Sequence, residues 1–202
     1  MRIRVSVVSF LLAFGPTVVA KDEKMSRIVS VSVLLEGTDA DGAVMDYHQF
    51  LQDAFFKANC VFEKEFGIKF KIIEFSAGKW FVPSDNFDGN AELESLTNLP
   101  ANGDIVAAFT TKKFFGEASI EIDGEWIPTK RRLAGLAAMS GRHAIVSLEE
   151  KSELILIHEI GHLFGVDHTF DLSSVMHSEA VQTANFDKNS KEVIRANKYR
   201  KF

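Results

Sequence analysis

Apolar residues recur along this chain with two periods, and the change from one to the other marks its elements. Between Arg27 and Glu36 they alternate, which predicts a strand. From Met45 to Phe66 the residues Phe50, Leu51, Ala54, Phe55, Ala58, Val61 and Phe62 fall on one face of a helix, and Ile68 to Phe75 alternates again. This is a βαβ start. A polar, turn-rich stretch from Ser84 to Gly89 follows, then a short helix over Glu92 to Leu99 and a buried strand over Asp104 to Thr110. Asp123-Gly124 is a turn signal between Ile120-Glu121-Ile122 and Trp126-Ile127, which predicts a small hairpin. Leu133 to Met139 and His143 to Leu148 are two further strands, joined at Ser140-Gly141-Arg142. Lys151 to Phe164 is helical, with Leu154, Ile155 and Ile157 on its buried side, and a last basic helix carries Lys188, Lys191, Arg195, Lys198, Arg200 and Lys201.

The N-terminus departs from this pattern. Arg2 and Arg4 precede the apolar run Val5 to Phe14, then Gly15-Pro16 and the small-ended Val18-Val19-Ala20. This is the pattern of an export signal cleaved after Ala20, because the run is shorter than the ~20 apolar residues that span a bilayer. The expected product is secreted or periplasmic and is not held at a membrane. Residues 21–202 suit one domain with a proper core, divided into an upper part of about 21–165 and a lower part of about 166–202. Losing Arg2 and Arg4 takes the formal charge from −5 to −7, which argues against nucleic acid as a partner. The basic C-terminal cluster then reads as a solvated helix face. Cys60 is the only cysteine, so no intramolecular disulfide can form. It points away from the apolar face of its helix and is expected as an inert thiol under a neighbouring loop, in a monomer.

The most specific chemistry lies at residues 158–168, where His158, Glu159, His162, Gly165 and His168 spell H-E-x-x-H-x-x-G-x-x-H. His158 and His162 are one helical turn apart, so both rings can reach one ion. In an unbroken helix His168 would lie about 9 Å further along the axis than His162. Gly165 permits the reversal that brings it back, because glycine enters the left-handed region at little cost. Three neutral imidazoles leave a fourth position for water on one catalytic Zn²⁺, and Glu159 beside them suits a general base. The expected reaction is hydrolysis of peptide bonds in protein or peptide substrates by a metal-activated water. A thermolysin-like site with Glu179 or Glu192 as third ligand is the rival within hydrolases, although it leaves Gly165 and His168 without a role. A zinc-bearing binding module without turnover is the rival outside them, although it leaves Glu159 without one.

These eleven residues resemble the metzincin clan of zinc metallopeptidases, and Met176 resembles the methionine of that clan's turn below the metal. The eight residues from His168 to Met176, together with Asp171, are most similar to the matrixins and their small bacterial relatives. The resemblance implies an α+β fold: a twisted, mostly parallel sheet with an antiparallel edge strand, two main helices, and a small C-terminal part with the Met-turn and final helix. It also implies that Leu133, Ala134, Gly135, Leu136 and Ala137 form the edge strand on which an extended substrate pairs, and small side chains there suit close approach. Departures are Met176-His177-Ser178 where matrixins read Met-Tyr-Pro, Thr169 after the third histidine, and no propeptide cysteine before the first strand. His177 is expected as a partly solvated turn residue, and His48 and His143 as structural ones. Calcium, as in matrixins, would fall to Asp85, Asp88 and Asp104, which lack EF-hand spacing and read better as turn formers.

Overall fold

The computed structural model describes residues 26–36, 47–78, 89–111, 114–122, 125–148, 151–178 and 181–202. The export signal at 1–20, Asp85, Asp88, the Asp123-Gly124 turn and Glu179 lie outside the described residues. In chain order the elements are β1 (Arg27–Glu36), α1 (Tyr47–Phe66), β2 (Ile68–Gly78), α2 (Gly89–Thr97), β3 (Ile105–Thr110), β4 (Phe114–Ile122), β5 (Glu125–Leu133), β6 (Gly135–Ala137), β7 (His143–Ser147), α3 (Ser152–Leu163) and α4 (Lys188–Ala196).

Five strands form one sheet in the order β2-β1-β3-β7-β6. The first four run parallel and β6 pairs antiparallel to β7, so the mixed α+β architecture with an antiparallel edge is present. Strands covered on both faces should be apolar along their whole length. β3 and β7 are buried at every residue. One face of the sheet packs against α1 and α3 through Val29, Val31, Val33, Phe55, Ala58, Phe62, Leu156, Ile157 and Ile160. The other face holds a smaller core of Leu34, Val106, Ala108 and Ile145 under Leu96 of α2.

Phe62 is fully buried and connects the layers. Its ring meets Phe66 at 5.4 Å and Phe70 edge-on at 5.1 Å. It also meets Phe164, just past α3, at 5.9 Å and Phe186, before α4, at 5.4 Å. Ring edges against ring faces add a directional term to plain area burial. The cluster therefore fixes the C-terminal end of α3, and the chain beyond it, relative to α1 and the sheet.

Four expectations need correcting. The strand expected over Leu133 to Met139 is split: Leu133 closes the hairpin opposite Phe114, and only Gly135–Ala137 pairs with β7. It stops there because Gly141 N–H bonds to Ala138 O at 2.7 Å and Ser140 turns the chain at φ 55°. The hairpin itself pairs nine residues a side, longer than the Asp-Gly signal suggested, because Gly116, Ala118 and Ser119 on β4 and Lys130-Arg131-Arg132 on β5 break the alternation. The last helix ends at Ala196, so Lys198, Arg200 and Lys201 lie beyond it. Cys60 is exposed rather than covered by a loop.

Candidate metal centre

α3 is buried along nearly its whole length, including His158, Glu159 and His162. It ends in a Schellman reversal. Gly165 adopts φ +87°, its N–H bonds to His162 O at 2.8 Å, and Val166 N–H bonds to Gly161 O at 3.1 Å. Any side chain is strained at that φ, so the reversal requires glycine here. The chain turns back along α3 and His168 joins the other two rings.

The three Nε2 atoms form a near-equilateral triangle. His158 to His162 measures 3.1 Å, and His168 lies 3.2 Å from each. Two ligands ~2.0–2.1 Å from one tetrahedral ion are themselves about 3.3 Å apart, so the spacing matches. The tautomers carry the argument further. His158 Nδ1–H donates to Val175 O at 2.6 Å and His162 Nδ1–H donates to Val166 O at 2.7 Å. Each neutral ring holds a single proton, so the two Nε2 atoms face each other with lone pairs. Lone pairs cannot hydrogen-bond to one another, and a cation between them resolves the conflict. A proton is not that cation: burial first, then the adjacent His162 ring, hold His158 down to about 3 despite the bond to Val175 O. Burial also lowers His162, outweighing the bond to Val166 O.

Glu159 completes the group. It is 4% exposed, its Oε2 has no hydrogen-bond partner among the described residues, and burial raises its carboxyl well above the usual carboxylate range. An orphaned buried oxygen of this kind costs free energy unless a further group meets it, and a water or a cation at the imidazoles would do so. Room for the carboxylate comes from β6. A Cβ on Gly135 would lie 2.2 Å from Glu159 Oε1 and 2.6 Å from Ile155 Cγ2.

Beneath the helix, Met176 is fully buried, and a Cβ on Gly161 would stand 2.5 Å from its sulfur. The Met176 turn is tied down by Asp187, the N-cap of α4. Asp187 accepts from Ser190 N–H at 3.0 Å and from the hydroxyls of Ser174, at 2.8 Å, and Ser190. Burial raises the Asp187 carboxyl, but these bonds outweigh it and the net shift is downward. As pH falls, the unfolded chain therefore binds this proton first; Asp187 contributes stability above the ordinary carboxylate range and loses it as pH drops through its own lowered value. Asp187→Ala is expected to cost about 1 kcal/mol in urea unfolding near neutral pH, a difference that shrinks by pH 3.

Other expected residues fall elsewhere. His143 opens β7, buried, and burial lowers it, as suits a structural residue. His177 is 9% exposed and bridges to Thr169, so it is buried rather than partly solvated, because the chain folds back on itself between them. Asp104 accepts from Ser30 N–H at 2.8 Å and Ser30 Oγ at 2.7 Å, holding the start of β3 to β1. Glu192 is exposed on α4, and among the described residues the cluster able to hold an ion comprises His158, His162 and His168. Gly161 and the carbonyls of Val166 and Val175 were missed by sequence reasoning. A carbonyl has no side-chain signature, but glycine between two ligand-spaced histidines is a visible sign of close packing.

A buried helix carrying two imidazoles, a glycine reversal supplying a third and a methionine beneath them define a metallopeptidase of the metzincin kind. The model of the reprolysin-like metallopeptidase family M12B matches residues 51–169, more than half of the chain, and the chain belongs to that family. It is accordingly a zinc metallopeptidase, a hydrolase of protein or peptide substrates. Among solved structures, archaemetzincin from Methanopyrus kandleri is similar, with a TM-score of 0.62 and 19% identity over 90% of this chain and 99% of that one. A chain of a chaperone-substrate complex is similar at a TM-score of 0.56 and 11% identity, over 85% of this chain and 38% of that one. These likenesses establish the fold. No curated protein matches the chain.

Proposed function

We propose that this chain is an exported zinc endopeptidase in which His158, His162 and His168 hold one ion and Glu159 is the general base. The observation that carries this reading is the facing of unprotonated imidazole nitrogens 3.1 Å apart beside a carboxyl whose Oε2 has no partner among the described residues. When bound, zinc would supply Lewis acidity, polarising a peptide carbonyl and making water a stronger acid. The rest falls to the chain. Val175 O and Val166 O fix the tautomers that turn Nε2 inward. Glu159 takes a proton from the attacking water and returns it to the departing amine nitrogen, a task its apolar surroundings favour by making the carboxylate more basic.

The substrate backbone is proposed to lie along β6, whose one pairing among the described residues is with β7. Ala134, Gly135, Leu136 and Ala137 are the residues for this role, and Leu133 is not, since it belongs to the hairpin. The spacing from His168 to Met176 supports a matrixin-like turn within the clan. Residues 2–20 support export with cleavage after Ala20, and the acidic mature chain supports a monomer that ignores nucleic acid. Among the described residues no helix is long and apolar enough to cross a membrane.

Incubation of the purified chain with unfolded casein or a mixed peptide library tests the reading. Cleavage that stops on treatment with a zinc chelator and returns with added zinc is the expected result. Cleavage that survives complete metal removal rejects it.

A further inference from the structure

The end of the metal-bearing helix is held by the far end of the chain. A helix leaves its last four carbonyls without partners from its own turns. In α3, Gly161 O and His162 O are satisfied by the reversal, through Val166 and Gly165, and His162 O also accepts from Ser140 N–H at 3.0 Å. The next two carbonyls go to the C-terminal segment: Leu163 O accepts from Arg200 Nη1, and Phe164 O accepts from Asn197 Nδ2 at 2.9 Å. The second Arg200 nitrogen, Nη2, donates to Ser140 O, so one guanidinium joins the end of α3 to the turn after β6. Asn197 also closes over the reversal, its Nδ2 lying 3.3 Å from where a Cβ on Gly165 would stand.

The segment is itself anchored from behind. Arg27, the first residue of β1, donates to Lys198 O and, at 2.6 Å, to Arg200 O. Phe202 packs edge-on against Phe164 at 5.3 Å, with the guanidiniums of Arg27 and Arg200 over its ring at 5.1 and 4.9 Å. A cation at a helix C-terminus also suits the helix dipole. Here it reaches a helix carbonyl directly, and the fork of the guanidinium meets Leu163 O and Ser140 O at once.

We propose that residues 197–202 strap the metal centre into shape, with Arg200 and Asn197 as positioning residues for the imidazole triad. They act through the backbone. Between Phe164 and His168 the chain must present Val166 O to His162 Nδ1 and return His168 to the triangle, and the strap holds the start of this stretch through Leu163 O and Phe164 O. An ordinary helix cap would contribute stability alone, since water can replace it at little cost to distant geometry. A strap at this place must also set how tightly the ion is held, and partners that orient metal ligands are worth ~10–100-fold in affinity.

This rests on the metal reading above, and the test keeps the two apart. Zinc affinity is measured by competition with a chromophoric chelator, and the visible spectrum of the Co²⁺ form reports ligand geometry. For Arg200→Ala a zinc affinity ~10–100-fold weaker is expected, with an altered Co²⁺ band. Asn197→Ala should shift both in the same direction by less. Arg200→Lys, able to meet one carbonyl but not two, should fall between wild type and Arg200→Ala. Arg195→Ala serves as control: it removes a guanidinium lying 5.9 Å from the Phe66 ring on α1, and should leave zinc affinity unchanged. Folded Arg200→Ala and Asn197→Ala proteins that bind zinc within about twofold of wild type would overturn the proposal, whatever their melting temperatures. If Arg200→Ala does not fold, Arg200→Lys and Asn197→Ala decide the matter by the same criterion. A wild-type chain that takes up no zinc would instead overturn the metal reading itself.

Discussion

Glu159→Gln is expected to lower turnover of a casein or peptide substrate by about 10²–10⁴-fold while the protein stays folded and binds zinc as wild type does. The substitution keeps the side chain's shape, so the packing between α3 and β6 is retained. What it removes is the ability to accept a proton. Gly135, lacking a Cβ, leaves room for the Glu159 head group, and an amide has the same planar shape as a carboxyl. Stability should not fall. In the wild type, burial raises the carboxyl, so the folded chain holds this proton more firmly than the unfolded one. With that sign, the contribution of Glu159 to stability is full at low pH and is lost as pH rises past the ordinary carboxylate range. A neutral amide avoids the loss, so metal-free Glu159→Gln should melt at or above the wild-type temperature at neutral pH. A variant that cleaves peptides at the wild-type rate would remove Glu159 from the chemistry, and the zinc-bearing binding module would become the better description.

The sequence carried the centre unusually well because its parts are local. His158 and His162 are related by one helical turn, and Gly165 and His168 by a short reversal, so no long-range packing is needed to foresee that the rings can meet. The sheet was legible for a similar reason: β1 alternates apolar and polar residues, β3 and β7 are short and largely apolar, and both patterns are strong strand signals. Other features depend on partners distant in sequence. Leu133 was placed with the edge strand because its neighbours are small and apolar, but pairing with Phe114 decided where it went. Arg200 and Lys198 continued a basic helical pattern by composition. In the fold, Arg200 is drawn off that helix to Leu163 O of α3 and Ser140 O, and Lys198 O accepts from Arg27, contacts between residues far apart in sequence. His177 looked like a polar turn residue and became buried because Thr169 lies alongside it. In each case the residue type was read correctly and the missing information was its partner.

Gly135→Ala should damage turnover severely for the addition of a single methyl group. The added Cβ would lie 2.2 Å from Glu159 Oε1, 2.6 Å from Ile155 Cγ2 and 2.7 Å from Glu159 Cδ, contacts that no real side chain sustains. Something has to move, and the choices are few. β6 is three residues long and held to β7 by the Gly135–Val146, Leu136–Ile145 and Ala137–Ala144 pairs, so its retreat loosens the edge on which substrate is proposed to lie. Glu159 can turn aside instead, but it sits on a buried helix and is 4% exposed, so it has little free space to enter. Either way the base and the substrate backbone lose their relative placement, and a misplacement of about 1 Å costs ~10²-fold in rate. Because the atoms nearest the added methyl belong to Glu159 and Ile155 and not to the imidazoles, zinc affinity should change far less than kcat/KM. Gly135→Ala should therefore bind zinc normally and cleave poorly, the reverse of what Arg200→Ala should show in zinc titrations. Full activity in folded Gly135→Ala would mean that β6 does not set the position of Glu159, and the proposed seat of the substrate would then have to lie elsewhere on the protein.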